Sequence, residues 1–519
     1  MNIKLNKTTL IKNLKIIVFF IFTVNLSTSV AQAQVKLATV FEDSMVIQRD
    51  HPINIWGTAS NGEEIKVILK GKSYQGQADE NGAWLITLPQ QHVATNQSLT
   101  VVGESSISSN TIELNNIAFG DVYLASGQSN MEFKVKEALT KFPKEENLKE
   151  YPDIRQFKVK RHFEFKGPLQ DIKSGNWLSA SSETVGEFSA VAWFFAKDLY
   201  QRVRVPIGII SSNVGATPVE SWMSIDSLES FPEAQSLAYN LADNKYIEQL
   251  KKDYSQERAQ WWEKNPTAKK LPFMLMHRTS LDFKPVGLYN AMIAPLANVK
   301  FAGVIWYQGE SNTPEPAQYS DKFTTMIHQW RALFNQPQLP FLFVQLANFQ
   351  MPDEQPSESA WAEIRDQQTQ VFKTVDNTAM ALAIDVGERH NIHPLDKKTV
   401  GERLALGARH FVYGDTQLSY LSPLIEKAKL SNGRAIISFK HVSKGLVVKG
   451  EKLLGFAIAG ADKKFIWANA SLTNNKVTVW HDSISSPKYV RYAWGNNPEN
   501  ANLYNDQKLP ATPFSYELN

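Results

Sequence analysis

The chain has 519 residues, of which 43% are hydrophobic and 21% charged, a composition that excludes a disordered, collagen-like or coiled-coil protein. It contains no cysteine, which excludes disulfides, thiolate catalysis and cysteine-ligated metal sites. The formal net charge is +3, and removing the four lysines of residues 1–33 leaves −1. A nearly neutral chain gives no electrostatic reason to expect binding of nucleic acid or of an anionic membrane.

The N-terminal segment has the three-part pattern of a secretory signal peptide. Lysines precede the short apolar run Ile16–Val24, and Ala31 and Ala33 supply small residues at a cleavage site. About 20 apolar residues are needed to span a bilayer, which is more than this run provides. We therefore predict that residues 1–33 are a cleaved signal peptide, that the mature protein has no membrane attachment, and that it is periplasmic or secreted.

Residues 34–115 have the pattern of short β-strands. Hydrophobic and polar residues alternate in Ile53–Gly57 and Ala83–Leu88. Asn61-Gly62 and Asn81-Gly82 are typical of hairpin turns, because Asn and Gly accept the positive φ that such turns require. We predict an N-terminal β-sandwich-like domain over this region.

From residue 116 the pattern changes to apolar runs that alternate with amphipathic segments. Buried strands alternating with helices are typical of a parallel sheet flanked by helices, and we predict this α/β arrangement over residues 116–421. Residues 134–180 and 226–280 are polar and are interpreted as insertions. The predicted strands are Val122–Ala125, Ile207–Ser211, Gly303–Tyr307, Pro340–Gln345 and Met380–Ile384. The predicted helical segments are Ser189–Arg202, Gln318–Phe334, Ala360–Val375 and Thr399–Phe411.

Short alternating strands return over residues 422–519. We therefore predict a second, C-terminal β-sandwich-like domain, with Asn432-Gly433 as a turn. Its predicted strands are Ala435–Phe439, Gly445–Val448, Gly455–Ile458, Lys476–Trp480 and Tyr489–Trp494.

The first polar turn that carries chemistry follows the strand Val122–Ala125. The sequence Gly127-Gln128-Ser129-Asn130 places Ser129 at the end of a buried strand and at the start of a helix. The carboxyl ends of parallel strands are where open α/β sheets bind ligands, so Ser129 is a candidate nucleophile. The alternative is that Ser129 only caps the helix.

Two further turns carry polar residues of the same kind. Gln308 and Glu310 follow the strand Gly303–Tyr307, so they are also candidates for the site. The alternative for Gln308 is an amide that braces the loop, and the alternatives for Glu310 are to cap a helix or to pair with an arginine. His393 stands in the turn that enters the amphipathic segment Thr399–Phe411. A helix N-terminus favours the neutral imidazole that a general base requires, which makes His393 a candidate base.

Together these turns resemble the sialate O-acetylesterases, a branch of the SGNH or GDSL-like hydrolases. The matching motifs are Gly-Gln-Ser-Asn-Met at 127–131, Trp-Tyr-Gln-Gly-Glu-Ser-Asn at 306–312 and Ile-His-Pro at 392–394. Other similar segments are residues 188–195, 212–222, 288–296, 502–505 and 509–514. The resemblance covers nearly the whole mature chain. It implies an SGNH-hydrolase-like parallel sheet flanked by helices, and a serine esterase that removes O-acetyl groups from sugars.

The resemblance also implies a role for each site residue. Ser129 matches the family nucleophile, and His393 matches the base that takes its proton. The backbone N–H groups of Ser129 and Gly215 and the side chain of Gln308 match the donors that stabilise the oxyanion. No metal or organic cofactor is implied, since the chain also lacks cysteine and the His-x-x-x-His spacing of a zinc site.

One position departs from the family pattern. Family members carry an aspartate two residues before the histidine, and the wider superfamily carries one three residues before; Asn391 and His390 stand at those positions. Glu310 or Glu388 supplies the carboxylate instead, or the enzyme works as a Ser-His dyad, or the chain is impaired and mainly binds glycans. We favour Glu310 as the third member, because it follows a strand of the same sheet as Ser129.

The leading hypothesis for the substrate is an O-acetylated sialic acid. The alternatives are acetylated xylan or another acetylated glycan. Sialic acid carries a carboxylate, which the forked guanidinium of an arginine binds well. Arg365, Arg389 and His390 are the candidate substrate-binding residues, with ion pairing as the alternative role of the two arginines. The sequence does not indicate an oligomeric state.

Overall fold

The computed structural model describes residues 35–104, 109–145 and 150–518. The predicted signal peptide, residues 1–33, lies outside the described residues. Within these ranges no helix is both long and apolar enough to cross a membrane. The described chain has a β-rich N-terminal region, a central mixed sheet with helices, and three C-terminal sheets.

The described part of the N-terminal region contains eight strands, the last of which continues into the central sheet. They are β1 (Lys36–Leu37), β2 (Val46–Gln48), β3 (Ile53–Thr58), β4 (Glu64–Leu69), β5 (Lys72–Gln77), β6 (Ala83–Leu88), β7 (Ala94–Glu104) and β8 (Ser109–Gly127). β3 pairs with β1 and β6, whereas β4 pairs with β5 and β7. Exposed and buried residues alternate along β4 and β6, so each turns one face to the core. Residue 115, where we predicted a domain boundary, lies inside β8.

The two Asn-Gly turns of this region do not close hairpins. Asn61-Gly62 connects β3 to β4, and Asn81-Gly82 connects β5 to β6; neither pair is hydrogen-bonded in the described sheets. The hairpin between β4 and β5 turns instead at Lys70-Gly71, where both residues have positive φ. The hairpin prediction is wrong here, because positive φ suits any tight reversal, whereas pairing depends on which strands share a sheet.

The central sheet brings the site residues to one edge. Its further strands are β9 (Tyr151–Lys158), β10 (Trp177–Ala180), β11 (Ile207–Asn213), β12 (Gly303–Tyr307), β13 (Phe341–Gln345) and β14 (Thr378–Leu382). The order is β10-β9-β11-β8-β12-β13-β14, with all neighbours from β9 to β14 parallel and β10 antiparallel at the edge. Every residue of β11 to β14 is buried, which explains their apolar sequences.

The five predicted central strands are confirmed, but the sheet is mixed rather than wholly parallel. β9 and β10 lie in residues 134–180, which we interpreted as an insertion. β9 was missed because its sequence contains a proline and three charged residues. Arg155 in this strand is buried because its guanidinium donates to the carbonyl oxygens of Ser44, at 3.0 Å, and Asn116.

Two helix pairs pack with the central sheet, α2 with α8 and α6 with α7. The helices are α1 (Ser129–Glu132), α2 (Ala190–Val203), α3 (Pro232–Leu241), α4 (Asn244–Lys264), α5 (Phe273–Arg278), α6 (Tyr319–Leu333), α7 (Ala360–Thr374) and α8 (Lys397–Phe411). Side chains of Ser189, Ser359 and Asp396 cap α2, α7 and α8. These caps fix where the predicted helices begin.

The C-terminal region consists of antiparallel strands. They are β15 (Leu424–Ser431), β16 (Arg434–Lys440), β17 (Leu446–Val448), β18 (Phe456–Ala459), β19 (Ile466–Trp467), β20 (Asn469–Thr473), β21 (Lys476–Trp480), β22 (Tyr489–Tyr492), β23 (Leu503–Asn505) and β24 (Phe514–Glu517). They form the sheets β15-β16-β21-β20, β17-β23 and β19-β18-β22-β24. Asn432-Gly433 closes the β15–β16 hairpin, with both residues at positive φ, as predicted.

Candidate active site

The serine turn depends on a glycine at the end of β8. Gly127 has a φ of 129°, and a Cβ at this position would lie 2.2 Å from the Tyr307 carbonyl oxygen of β12. The Gln128 N–H donates to that same oxygen at 2.9 Å. Only glycine permits this approach, after which the chain turns directly into α1 with the Ser129 side chain partly exposed.

The imidazole of His393 is bonded to this serine. The Oγ of Ser129 and the Nε2 of His393 are 2.8 Å apart. His393 lies between β14 and α8, so the two side chains follow the carboxyl ends of two strands of one sheet. Burial, and after it the positive charge of Lys397, lower the pKa of His393. The imidazole is therefore neutral at neutral pH and can accept the serine proton.

Asn130 ties the turn that contains Ser129 to the histidine loop, which is the segment between β14 and α8 that contains His393. Its Nδ2 donates to the Ile392 carbonyl oxygen at 3.1 Å and to Glu310 Oε1 at 2.6 Å. Its Oδ1 accepts from Lys397 Nζ at 2.5 Å. Lys397 is fully buried, and burial lowers its pKa to about 7. One buried amide thus links the two loops that carry Ser129 and His393 to a lysine and a glutamate.

Glu310 does not contact the imidazole. Its Oε1 accepts from Asn130, and its Oε2 is buried without a hydrogen-bond partner among the described residues. Burial raises the pKa of Glu310, although its hydrogen bonds and the Lys397 charge oppose this. The prediction placed Glu310 at the right edge of the sheet, but Asn130 stands between its carboxylate and the histidine loop. The expected contact with His393 is therefore corrected.

Glu388 and Asn391 brace the histidine loop through its backbone. Glu388 accepts from the Leu395 N–H at 2.7 Å and from Asn391 Nδ2 at 3.2 Å. Asn391 Oδ1 accepts from the backbone N–H of His393 at 3.0 Å. Neither side chain reaches the ring, so no carboxylate of the described residues is hydrogen-bonded to the imidazole.

The backbone N–H of Gly215 lies beside Ser129, but it is already hydrogen-bonded within the protein. A Cβ on Gly215 would lie 3.3 Å from the Ser129 Cβ, which places the two residues side by side. The Gly215 N–H donates to Glu132 Oε2 at 2.7 Å. The next residue, Ala216, has a φ of 61°, an uncommon conformation for a residue with a Cβ. A carboxylate from the serine's own helix therefore sits where an oxyanion donor was predicted.

Gln308 is wholly buried and its amide is engaged inside the protein. Its Nε2 donates to the Thr217 carbonyl oxygen at 3.2 Å and to Asn312 Oδ1 at 2.7 Å. Its Oε1 accepts from the Tyr319 hydroxyl at 3.0 Å. These contacts correspond to the loop-bracing alternative and correct the prediction of a free side-chain donor at Gln308.

The predicted substrate-binding residues are not free guanidinium groups. Arg365 is fully buried, and its guanidinium donates to the carbonyl oxygens of Leu346, Ala347, Gly495 and Asn496. It joins α7 to the C-terminal region, which corrects its predicted role in substrate binding. Arg389 is exposed and ion-paired with Glu499. His390 is exposed beside it.

The sequence analysis did not identify Glu132, whose carboxylate accepts from the Gly215 N–H beside Ser129. It lies three residues after Ser129, a spacing that puts both side chains on one face of a helix, and this was the signal that could have identified it. Asn130 was part of a matching motif without an assigned role, and Lys397 follows the Ile-His-Pro motif as the first residue of α8. In the described part of the chain, no group of three or more histidine, aspartate or glutamate side chains is arranged to hold a metal ion.

Comparisons with known proteins give consistent results. Residues 278–409 match the family model described as carbohydrate esterase, sialic acid-specific acetylesterase. The sialate O-acetylesterase of Homo sapiens is 28% identical over 527 residues, covering 92% of each chain. That of Mus musculus is 28% identical, covering 93% of this chain and 94% of its own. The crystal structure of a carbohydrate acetylesterase from Xanthomonas citri is 34% identical, with a TM-score of 0.78, covering 93% of this chain and 99% of its own.

Proposed function

Because the chain belongs to the carbohydrate esterase family that includes the sialate O-acetylesterases, we propose that it hydrolyses O-acetyl esters of sugars with Ser129 as nucleophile and His393 as base. The observation that carries the proposal is the 2.8 Å contact between Ser129 Oγ and His393 Nε2. A base must lie within about 2.6–3.2 Å of the proton that it removes, and this contact meets that condition.

The reaction proceeds through an acetyl-enzyme. Ser129 Oγ attacks the acetyl carbonyl carbon while His393 Nε2 takes the hydroxyl proton. The carbon–oxygen bond to the sugar then breaks, the protonated imidazole gives its proton to the leaving alcohol, and the acetyl group remains on Oγ. A water molecule, deprotonated by the same imidazole, attacks the acetyl group and releases acetic acid, which then loses its proton to the solvent to give acetate. The proton returns to the serine, so the enzyme is regenerated.

The oxyanion of each tetrahedral intermediate is stabilised by the backbone N–H groups of Ser129 and Gly215. The first N–H groups of a helix have no acceptor within the helix, which leaves that of Ser129 available. The Gly215 N–H becomes available only when the Glu132 carboxylate moves away. Losing one such donor costs roughly 10²–10³ in rate, so the position of Glu132 matters to turnover.

We assign His393 to a Ser-His dyad without a carboxylate partner. Asn391 holds its backbone, and Asn130 holds the carbonyl of the residue before it. These contacts position the imidazole but do not neutralise the imidazolium that forms during the reaction. Replacing the aspartate of a serine protease triad by asparagine cost roughly 10⁴ in rate, so we expect slower turnover than in a complete triad.

O-acetylated sialic acid is the first candidate substrate, on the strength of the named relatives. A neutral glycan such as acetylated xylan is the second, favoured by the charges around the site. Arg365 and Arg389 are both engaged with protein groups, and the Glu132 carboxylate beside Ser129 repels an anionic sugar. Acetate release from O-acetylated sialic acids, compared with release from acetylated xylan, tests this choice. Loss of both activities in the Ser129→Ala variant tests the shared chemistry.

The finer fold and the location belong to the same proposal. An SGNH-hydrolase-like sheet is supported by a nucleophile after β8 and a base after β14. The division into residues 34–115, 116–421 and 422–519 stays a prediction, as does export through a signal peptide over residues 1–33. N-terminal sequencing of the protein recovered from a periplasmic fraction tests export, with cleavage near Ala33 as the expected result.

A further inference from the structure

A second cleft lies where residues 352–354 meet the C-terminal strands. It encloses about 280 Å³ and is lined by Leu454, Phe456, Trp467 and Trp494 together with polar side chains. Trp467 is 40% exposed and Leu454 46% exposed, unusual values for such large apolar side chains. None of the residues assigned to the ester chemistry lines this cleft.

Both indoles of the cleft are held in place by their neighbours. Trp467 Nε1 donates to the Glu354 carbonyl oxygen at 2.9 Å. The Arg491 guanidinium packs 4.9 Å from the ring centre of Trp494 and is itself paired with Glu358 at 2.9 Å. A binding surface that is fixed beforehand loses little conformational entropy when a ligand arrives. The exposed ring of Trp467, beside the half-buried ring of Trp494, provides a flat apolar surface on which the C–H face of a sugar ring can pack.

The charge of the cleft selects among sugars. Asp353, Glu354 and Glu499 are among its lining residues, which include no lysine, arginine or histidine. Glu499 is neutralised by Arg389, whereas Asp353 and Glu354 form no ion pair among the described residues. Carboxylates accept hydrogen bonds from sugar hydroxyls but repel the carboxylate of a sialic or uronic acid. The cleft therefore suits a neutral sugar.

We propose that this cleft binds neutral sugar residues of a glycan, as a second carbohydrate site apart from Ser129. The choice of a glycan as occupant rests on the proposed function. The cleft wall is bonded to the histidine loop: Asn497 accepts from Asn348 at 2.7 Å, and Asn348 accepts from the Gly387 N–H at 2.7 Å. A polymer held here raises the effective concentration of its acetyl groups at the ester site.

Binding is tested with the full chain carrying Ser129→Ala, by calorimetric titration with xylohexaose, mannohexaose and 3′-sialyllactose. We expect saturable binding of at least one neutral oligosaccharide, and affinity lower by about tenfold or more after Trp467→Ala. Trp262→Ala is the matched control, because Trp262 is 38% exposed but lies on α4, outside the cleft; it should leave the affinity unchanged.

Activity provides an independent test with Ser129 intact. Trp467→Ala should raise KM for an acetylated polymer and leave kcat/KM for p-nitrophenyl acetate unchanged. If the unmodified enzyme hydrolyses neither the acetylated polymer nor p-nitrophenyl acetate, the esterase proposal is refuted. The binding titration would still test the cleft proposal in that case. The cleft proposal is overturned if neither neutral oligosaccharide binds saturably, or if Trp467→Ala binds with the same affinity as the protein that keeps Trp467. It is also overturned if 3′-sialyllactose binds more tightly than the neutral oligosaccharides, or if the protein is a dimer that Trp467→Ala dissociates.

Discussion

Three acidic side chains lie around Ser129 and His393, the proposed catalytic pair, and each is hydrogen-bonded to a group other than the imidazole. Glu132 accepts from a backbone N–H beside the nucleophile, Glu310 from a buried amide, and Glu388 from the loop that carries the histidine. The cationic group that acts on the imidazole, Lys397, lowers its pKa. The site thus favours a neutral base at rest and gives the imidazolium of the transition state little direct support.

The Glu132 contact predicts that neutralising this side chain speeds the reaction. Glu132→Gln should raise kcat/KM for p-nitrophenyl acetate by about threefold or more, because a neutral amide oxygen accepts more weakly than a carboxylate and frees the Gly215 N–H. Glu183→Gln is the control, since Glu183 is exposed and is not among the acidic side chains that act on the His393 pKa. A tenfold fall in Glu132→Gln would mean that the carboxylate supports the imidazolium.

The position of Asn391 predicts that restoring the family aspartate is harmful. In Asn391→Asp the new carboxylate would face Glu388 where Asn391 Nδ2 now donates at 3.2 Å. We expect a loss of about 1–3 kcal/mol in the free energy of unfolding, measured with urea at pH 7, together with lower kcat. Asn474→Asp, in an exposed turn, should change neither quantity. Higher kcat in Asn391→Asp would show instead that an aspartate here reaches the ring.

The pKa of His393 predicts the acidic limb of the pH–rate profile. Since burial and Lys397 lower this pKa from the ordinary 6.5 of a histidine, kcat/KM should begin to fall only at a pH below that value. In this range Lys397 is protonated, because its own pKa is about 7. Lys397→Met removes that charge, so the limb should move to higher pH by about half a unit or more.

The control for this experiment is Lys398→Met, because the Lys398 side chain is exposed and lies next along α8. It should leave the acidic limb where it is in the unmodified enzyme. An unmoved limb in a folded Lys397→Met variant would contradict the assignment of Lys397 as the charge that lowers the His393 pKa.

Among the elements, α8 positions the histidine loop through its close packing on α2. Gly401 of α8 has no side chain, and a Cβ there would lie 2.7 Å from the Val191 carbonyl oxygen and from the Phe195 nitrogen. Both neighbours belong to the backbone of a helix and cannot turn aside. The crossing of the two helices is therefore set by a glycine, which the hydrophobic pattern of α8 did not reveal.

Gly401→Ala should consequently lower the free energy of unfolding by about 1–3 kcal/mol, because the two helices must separate to admit the methyl group. Thermal or urea denaturation measures this. Gly186→Ala is the matched control, since its Cβ would meet only the Lys136 Cβ at 3.6 Å, an ordinary contact. Equal stability of the two variants would contradict the close packing described here.

Over the whole molecule, continuous apolar runs located the strands that are buried on both faces. β11 to β14 were predictable because all their residues contact the core. β9 was not, since its buried Arg155 is satisfied by carbonyl groups that are distant in sequence. The motifs likewise located Ser129 and His393, whereas the direction of the Glu310 side chain was decided by a contact with Asn130 that spans 180 residues.

The same limit applies to the arginines. Arg365 and Arg389 were singled out because a guanidinium suits a carboxylate, a property that holds equally for backbone carbonyls and for Glu499. Which of these partners each arginine meets depends on how the C-terminal region docks on the central sheet. Chain-distant docking of this kind leaves no local pattern in the sequence.

The central claim, that Ser129 carries the acetyl group during catalysis, is tested by trapping the intermediate. The enzyme is mixed with p-nitrophenyl acetate, quenched in acid within the first turnover, digested and examined by mass spectrometry. We predict one added acetyl group on the peptide that contains Ser129, none there in Ser129→Ala, and a kcat for that variant lower by at least about 10³-fold. An acetyl group on another residue, or a Ser129→Ala variant that retains full turnover, would contradict the account.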